Sequence, residues 1–405
     1  MLRYAEALAL LLDAARERGL RPHQTVPLEQ AVGRTASSAV RSREDLPPFD
    51  NSAMDGFAVA AARTAGASAD KPVTLPVSAV VAAGDAPACA ALPGAVEIMT
   101  GAPIPAGCDA VVKVEEVERA SDGTAITLRE PASDGDFVRK RGADFSAGTG
   151  VLEAGQVVQP RHLLALAALG QARVSVRFSP RVAIVSTGKE LVPFSQKPGP
   201  GQIRNATLPY LKAELESRGA QVLHQLSVGD EPSAFAARLE ELLDEELDLI
   251  LATGGVSMGR HDYVPSAVSA QGAEILFHKA AVRPGRPVLA ASFGNGPLFL
   301  GLPGNPISTA MAARFFVEPL LRALMGRPAE VPRRARLAEA VDKPRELRCF
   351  FKAALEERAD GARVRCLPGQ ASFQIKPLLD ADCWAVLPED AERLNAGDEV
   401  EVHPL

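Results

Sequence analysis

The sequence predicts a multi-domain α/β protein: a central parallel-sheet α/β domain, an inserted β-rich lobe and a small C-terminal β-barrel. Three observations predict it. From Arg181 onward, short apolar runs alternate with amphipathic helical runs, the β-α-β rhythm of a mostly parallel sheet with helices on both faces. Between Val59 and Phe145 the pattern is instead short apolar alternation broken by glycine and proline, with helical runs before and after it. Beyond the proline-containing stretch Pro328 to Ala335, roughly the last 70 residues turn β-rich again, as in a small barrel or sandwich. The expected division is 1–45 with 146–178 as a helical linking domain, 46–145 as the insert, 179–327 as the α/β domain and 328–405 as the C-terminal β domain.

The elements follow in order. Tyr4 to Arg18 places Leu8, Leu11, Leu12 and Ala15 on one helical face, and Gly19 stops it. Val26 to Ala36 suggests a short helix and turn. Strands are expected at Val73 to Val81, Val96 to Met99, Ala110 to Val114 and Ala125 to Leu128, and a helix over Leu163 to Leu169. In the α/β part, strands are expected at Val182 to Ser186, Gln221 to Val228, Asp248 to Ala252, Glu274 to Phe277 and Pro297 to Leu300. Helices are expected over Leu208 to Ser217 and Ser233 to Glu246, the second with Phe235, Leu239, Leu242 and Leu243 as its apolar stripe. A longer helix opens at Asn305-Pro306, with asparagine as N-cap and proline in the first turn, and closes before Gly326.

Composition bounds the function. A chain of 405 residues holds roughly two to four domains. A net charge of −6 argues against a general nucleic-acid binder, whose phosphate contacts need a basic face. Any anion site is therefore a local cationic pocket. The five cysteines (Cys89, Cys108, Cys349, Cys366, Cys383) contain no C-x-x-C pair and suit reduced thiols in the cytosol. Leu8 to Leu12 is followed at once by charge, so no secretory leader is expected, and no apolar run reaches a membrane span. A cytoplasmic protein is the expectation.

Ligands of open α/β sheets sit beyond the carboxyl ends of the strands. Thr187-Gly188-Lys189-Glu190, Gly229-Asp230 and Thr253-Gly254-Gly255 all fall at such ends, and Ser257, Arg260, His261 and Asp262 follow the last. Glycines there let backbone approach a ligand closely. Leu302-Pro303-Gly304-Asn305-Pro306 leads into a helix start, whose free N–H groups suit an anion. Lys279, Arg283 and Arg286, stiffened by Pro284 and Pro287, form a cationic strip suited to a fixed oxyanion. The carboxylates Asp55, Asp144, Glu190, Asp230 and Asp262 are oxygen ligands of the type Mg²⁺ prefers beside phosphate, although each taken singly is more often a cap or turn residue. Glu190, Asp230 and Asp262, which follow strand ends, are the expected metal ligands.

Gly255-x-Ser257-x-Gly259 matches a nucleophile elbow, but the residues after it make a poor helix start and no His-Gly-Gly-Gly stretch accompanies it. Walker A, G-x-G-x-x-G and H-E-x-x-H patterns are absent. His261 and His278 have no spacing partner, and Ser52 and Thr100 alone would be turn hydroxyls. The residues themselves point to Mg²⁺-assisted chemistry on a phosphorylated or nucleotidyl substrate.

Taken together, Phe49-Asp50-Asn51-Ser52-Ala53-Met54-Asp55-Gly56-Phe57-Ala58, Ile98-Met99-Thr100-Gly101-Ala102-Pro103, Ser186-Thr187-Gly188-x-Glu190-Leu191, Thr253-Gly254-Gly255-Val256-Ser257-x-Gly259, Asp262-Tyr263, Arg283-Pro284-Gly285-Arg286-Pro287 and Leu302-Pro303-Gly304-Asn305-Pro306 resemble one family. It is the molybdopterin molybdenumtransferases, which include bacterial MoeA and the related domain of gephyrin. The resemblance implies a central domain like molybdopterin-binding domains, four structural domains, and a homodimer with the active site built between subunits. It implies a reaction in which adenylylated molybdopterin and molybdate give molybdenum cofactor and AMP with Mg²⁺, and transient contact with other molybdenum-cofactor enzymes. By motif, it implies Asp55, Thr100, Asp144, Glu190, Asp230, Asp262, Lys279 and Arg283 as catalytic residues. Ser52, Gly254, Gly255, Ser257, Arg286, Pro303, Gly304, Asn305, Pro306, Ser308, Lys352 and Ser372 are the implied binding residues.

Some positions depart from the family pattern. Arg283 and Arg286 stand where lysines are common, and Asp144 lacks the usual preceding glutamate. Ile375-Lys376-Pro377 follows Ser372 where small hydroxyl residues are usual, and the arginine expected near Phe350 is represented by Lys352 or Arg348. The alternatives are a nucleotide-pyrophosphate hydrolase on a similar fold and a non-catalytic molybdopterin carrier or scaffold.

Overall fold

The computed structural model describes residues 1–86, 93–256, 263–359 and 361–405. It divides into two compact units: Met1–Ser38, Ala154–Val158 and Val174–Leu405 form one, and Ala39–Glu153 with Gln159–Arg173 the other.

The first unit is built on a six-stranded sheet. Its strands are β1 (Arg181–Thr187), β2 (Gln221–Val228), β3 (Leu249–Thr253), β4 (Glu274–His278), β5 (Leu289–Ser292) and β6 (Leu298–Leu302), in the spatial order β2-β1-β3-β6-β5-β4. Neighbours among β2, β1, β3 and β6 pair parallel, whereas β5 pairs antiparallel with both β6 and β4. The antiparallel edge, and β5 itself, go beyond the strands read from sequence. The run Val288 to Ser292 is short and sits after a Pro-Gly-Arg-Pro turn, so no periodicity marks it.

Alternate residues of β1 and β3 serve opposite faces, as strand geometry requires. Val182, Ile184, Leu249 and Leu251 pack with α1 (Tyr4–Arg18), α2 (Thr207–Ser217) and the long helix that follows β6. Ala183, Val185, Ile250 and Ala252 pack with α3 (Pro232–Leu243) and α4 (Val264–Ala270). Each large aliphatic or aromatic side chain so buried contributes about 1.5–3 kcal/mol, an upper estimate given the unfolded reference.

The helix after β6 runs as α5 (Pro306–Ala312), a π-helical turn (Ala313–Val317) and α6 (Glu318–Leu324). Asn305 stands at its N-cap position but makes no side-chain cap bond; its amide is engaged elsewhere, as described below. The expected short helix near Val26 is instead a strand, His23–Pro27, followed by a single 3₁₀ turn, Leu28–Gln30. Pro27 excludes a helix interior at that point.

Beyond α6 a small barrel closes. Strands β7 (Arg333–Leu337), β8 (Arg348–Glu356), β9 (Arg363–Cys366), β10 (Cys383–Leu387) and β11 (Glu399–Pro404) pair in the order β8-β9-β7-β11-β10. β10 pairs back to β8, so the sheet has no free edge. The second unit contains another six-stranded sheet around Phe57, Ala95, Ala110, Ile126 and Leu128, with strand Gly56–Val59 between Ala95–Ile98 and Ala110–Lys113. Among the described residues no helix is long and apolar enough to cross a membrane.

Candidate active site

Because β2, β1, β3 and β6 run parallel, their carboxyl ends share one rim. A cavity of about 390 Å³ opens there, lined by Glu190, Asp230, Gly254, Gly255, Gly304, Asn305 and Pro306 together with Thr187, Arg204 and Asn205. The strand-end residues singled out in the sequence thus converge.

Local geometry explains the glycines. Gly254 has φ +87°, and a Cβ there would lie 2.6 Å from the Thr187 carbonyl oxygen. Its N–H donates to the Leu302 carbonyl (3.1 Å), so the loops after β3 and β6 run side by side. A Cβ on Gly304 would stand 3.6 Å from Gly254 Cα. Glu190 curls back over the turn: a Cβ at Gly188 would fall 2.8 Å from its Oε1. Only glycine combines the backbone angle at Gly254 with so close an approach to the Thr187 backbone.

The C-terminal barrel reaches this rim through Ser372. Asn305 Nδ2 donates to Ser372 Oγ (3.1 Å), and the Ile307 N–H donates to the Ser372 carbonyl (3.0 Å). Asn305 therefore joins the barrel loop to the helix start instead of capping the helix. Lys352 is fully buried, and its Nζ donates to the carbonyls of Gly369 (2.7 Å) and Gln374 (3.0 Å) on either side of Ser372. Burial holds the Lys352 pKa below its ordinary value. Lys352 thus clasps the Ser372 loop and does not line the cavity. Arg348 is likewise engaged, pairing with Glu401 (2.9 Å) and Glu389 (3.6 Å) and lying over the Tyr4 ring.

Lys279, Arg283 and Arg286 do not line the cavity. The Lys279 N–H donates to Val288 O (2.8 Å), the Ala280 N–H donates to Arg286 O (3.1 Å), and Val282–Arg283 pairs with Arg348–Cys349 of the barrel. Arg283 and Arg286 are exposed, whereas Ser308 is buried on α5, where a Cβ at Gly285 would lie 3.4 Å from its carbonyl. Pro303 is buried beside the helix start, its carbonyl accepting from Thr309 Oγ1 (2.6 Å).

In the second unit Asp55 and Thr100 form a pair. Asp55 Oδ1 accepts from the Thr100 N–H (2.6 Å) and from Thr100 Oγ1 (2.8 Å). These two bonds, the backbone one foremost, hold the Asp55 pKa below the ordinary carboxylate value. Ser52 is fully buried; its hydroxyl donates to Met54 O (2.6 Å) and shapes the turn that presents Asp55. Asp144 is exposed, on a loop tied down by Asp45 and Asp50 through the backbone of Ala147 and Arg141.

Ser257 and Asp262, like Arg260 and His261, lie outside the described residues. Among the described residues no group of three or more His, Cys, Asp or Glu side chains stands close enough to hold a metal. Glu190 and Asp230 remain as two carboxylates in one cavity, a donor set that suits Mg²⁺ shared with substrate phosphate. Arg204 and Asn205 were not read from the sequence as site residues. Arg204-Asn205 follows a Gly-Pro-Gly loop with no strand periodicity, and only the fold folds it back onto the rim.

Comparison with known proteins agrees with this architecture. Residues 2–170 match the MoeA N-terminal region (domain I and II), 183–323 a probable molybdopterin binding domain, and 334–405 the MoeA C-terminal region (domain IV). The molybdopterin molybdenumtransferase of Synechococcus elongatus is 40% identical over the whole of both chains. Molybdopterin molybdenumtransferase 2 of Mycobacterium tuberculosis is 38% identical over 94% of this chain and 95% of its own. The crystal structure of a molybdopterin biosynthesis MoeA protein from Pyrococcus horikoshii superposes with a TM-score of 0.83 at 30% identity, covering 100% of this chain and 99% of that one. The class is thus a molybdopterin-binding α/β fold extended by MoeA-type N- and C-terminal regions. The chain belongs to the molybdopterin molybdenumtransferase family.

Proposed function

We propose that the protein completes molybdenum cofactor, inserting molybdate into adenylylated molybdopterin and releasing AMP. The observation that carries this reading is the cavity that gathers Glu190, Asp230, two glycine-rich strand ends and a helix start on one rim. In the proposed reaction, water adds to a phosphorus of the pyrophosphate link, one P–O bond breaks and AMP leaves. At the other end of the same substrate the two dithiolene sulfurs displace one oxo group of molybdate, which leaves as water with the two thiol protons as two Mo–S bonds form. Glu190 and Asp230 are the chain's ligands toward Mg²⁺, which when bound neutralises phosphate charge. Glycine backbone at 254 and 255 lets the phosphates approach closely. Ser372, bonded to Asn305 on the loop that Lys352 clasps, stands beside the rim, and the strip of Lys279, Arg283 and Arg286 with Ser308, outside this cavity, receives the oxyanion at the dithiolene end of the substrate.

In this reading Asp55, Thr100 and Asp144 act on the same reaction, and so do Ser257 and Asp262. The chain works as a cytoplasmic homodimer with the active site built between subunits, and hands cofactor to other molybdenum enzymes. Its four domains follow the boundaries given above; the inserted domain and the barrel each have a hydrophobic core of their own.

The test incubates the purified protein with adenylylated molybdopterin, Mg²⁺ and molybdate and follows AMP release and cofactor formation. Molybdate-dependent AMP release is expected, falling by about 10²-fold or more in Asp230→Asn. AMP release indifferent to molybdate would mark a pyrophosphate hydrolase. Tight binding without AMP release would leave a carrier.

A further inference from the structure

Three charged side chains among the described residues line the cavity: Glu190, Asp230 and Arg204. The first two repel an incoming phosphate. Arg204 is the one described cation on the wall, because Lys279, Arg283 and Arg286 lie elsewhere.

Its backbone is fixed from both sides. Leu191–Val192 and Ile203–Arg204 pair as a short parallel ladder; the Ile203 N–H donates to Glu190 O (2.8 Å) and the Asn205 N–H donates to Val192 O (2.8 Å). Asn205, the next residue, is buried beneath the rim. Its Nδ2 donates to Ser186 Oγ (2.6 Å), and its Oδ1 accepts from Thr207 Oγ1 (3.1 Å) and from the Leu208 N–H (3.2 Å). Arg204 is thus mounted on the same ladder that carries Glu190.

Its side chain is left available. Among the described residues, the hydrogen bond of Arg204 is from Nε–H to Gln196 O (3.0 Å), and no carboxylate pairs with it. Arg181, Arg218, Arg314, Arg322 and Arg348 are by contrast each paired with a glutamate. The Nε bond orients the guanidinium plane and leaves both terminal nitrogens with their N–H groups. That fork matches two oxygens of one phosphate.

We propose that Arg204 is the phosphate-holding residue of the nucleotide half of the substrate, gripping the phosphate attached to the nucleoside. This rests on the reading that the cavity takes the adenylylated substrate. Arg204 offsets the carboxylates that the chemistry requires, and it distinguishes a nucleotide from a nucleoside.

Equilibrium dialysis of AMP and of adenosine against the full chain, its Arg204→Ala variant and its Arg204→Lys variant tests this. Arg204→Ala is expected to weaken AMP binding by about tenfold or more while leaving adenosine binding unchanged. Arg204→Lys, which keeps charge without the fork, is expected to fall between. AMP bound equally well by wild type and Arg204→Ala overturns the assignment of Arg204 and leaves the substrate reading standing. Equal losses for AMP and adenosine also overturn it, since the residue would then shape the cavity without gripping phosphate. A wild type that binds no AMP and releases none in the molybdate assay overturns both.

Discussion

Asp55 shows how a single residue acquires its character from one neighbour. Both bonds from Thr100 end on the same carboxylate oxygen, and both favour the charged form. Thr100→Val removes the hydroxyl bond and keeps the backbone bond. The Asp55 pKa is therefore expected to rise part of the way toward the ordinary carboxylate value, followed by carbon NMR of the carboxyl group through an acid titration. The sign follows from the lowered pKa: the pairing is complete above the unfolded value and is lost only as pH falls through the folded one. The motif placing Asp55 and Thr100 was legible, because Asp-Gly and Thr-Gly turns carry their own chemistry. Lys352 was legible only as a basic residue near Phe350. That it is buried on two carbonyls, clasping a loop instead of meeting an anion, depends on β9 and β10 closing around it.

At the scale of elements, the site is a set of strand ends, and its tolerance is set by backbone contact. Gly254→Ala places a methyl group 2.6 Å from Thr187 O at a φ of +87°. The expected cost is about 1–3 kcal/mol of stability. A parallel loss of AMP affinity is also expected, because relief of the clash must move β1 or the loop after β3 into the cavity. Thermal unfolding and AMP dialysis on the same variant check both. The parallel strands were readable because each is a short apolar run between amphipathic helices. The antiparallel β5, the π turn at Ala313–Val317 and the Asn305–Ser372 bond were not, since none leaves a periodic trace.

At the scale of the whole first unit, the barrel is held to the α/β layer by rings and one charged cluster. Phe315 of the π turn packs tilted against Phe350 (4.2 Å) and meets Trp384 edge-on (6.1 Å). Beside them Glu330 accepts from Arg314 (2.7 Å) and pairs with His403 of the last strand (3.2 Å). Burial raises the Glu330 pKa, but the bonds from His403 and Arg314 outweigh it and bring it to about 2. A carboxyl lowered from 4.5 to about 2 adds stability that is present above 4.5 and disappears as pH falls through about 2. Glu330→Gln is expected to cost about 2–3 kcal/mol at neutral pH, since it strips a partner from the buried Arg314. It should also flatten the pH dependence of stability between those two values. Urea unfolding at a series of pH values reads both; equal slopes in wild type and variant would refute the assignment.

The sequence by itself determined the order of the α/β, inserted β and barrel segments, the strand ends that bear Glu190, Asp230 and Gly254-Gly255, and the family. It could do so because hydrophobic period, turn residues and motif order are local properties. Which charged groups share the cavity was decided by tertiary structure alone. Parallel register brings Glu190 and Asp230 to one rim, the short ladder to Leu191–Val192 folds Arg204 back beside them, and the Val282–Arg283 strand pairs with the barrel and is not part of the cavity wall. A cation's role depends on what faces it across space, and that distance is set by sheet order and loop closure between residues far apart in the chain.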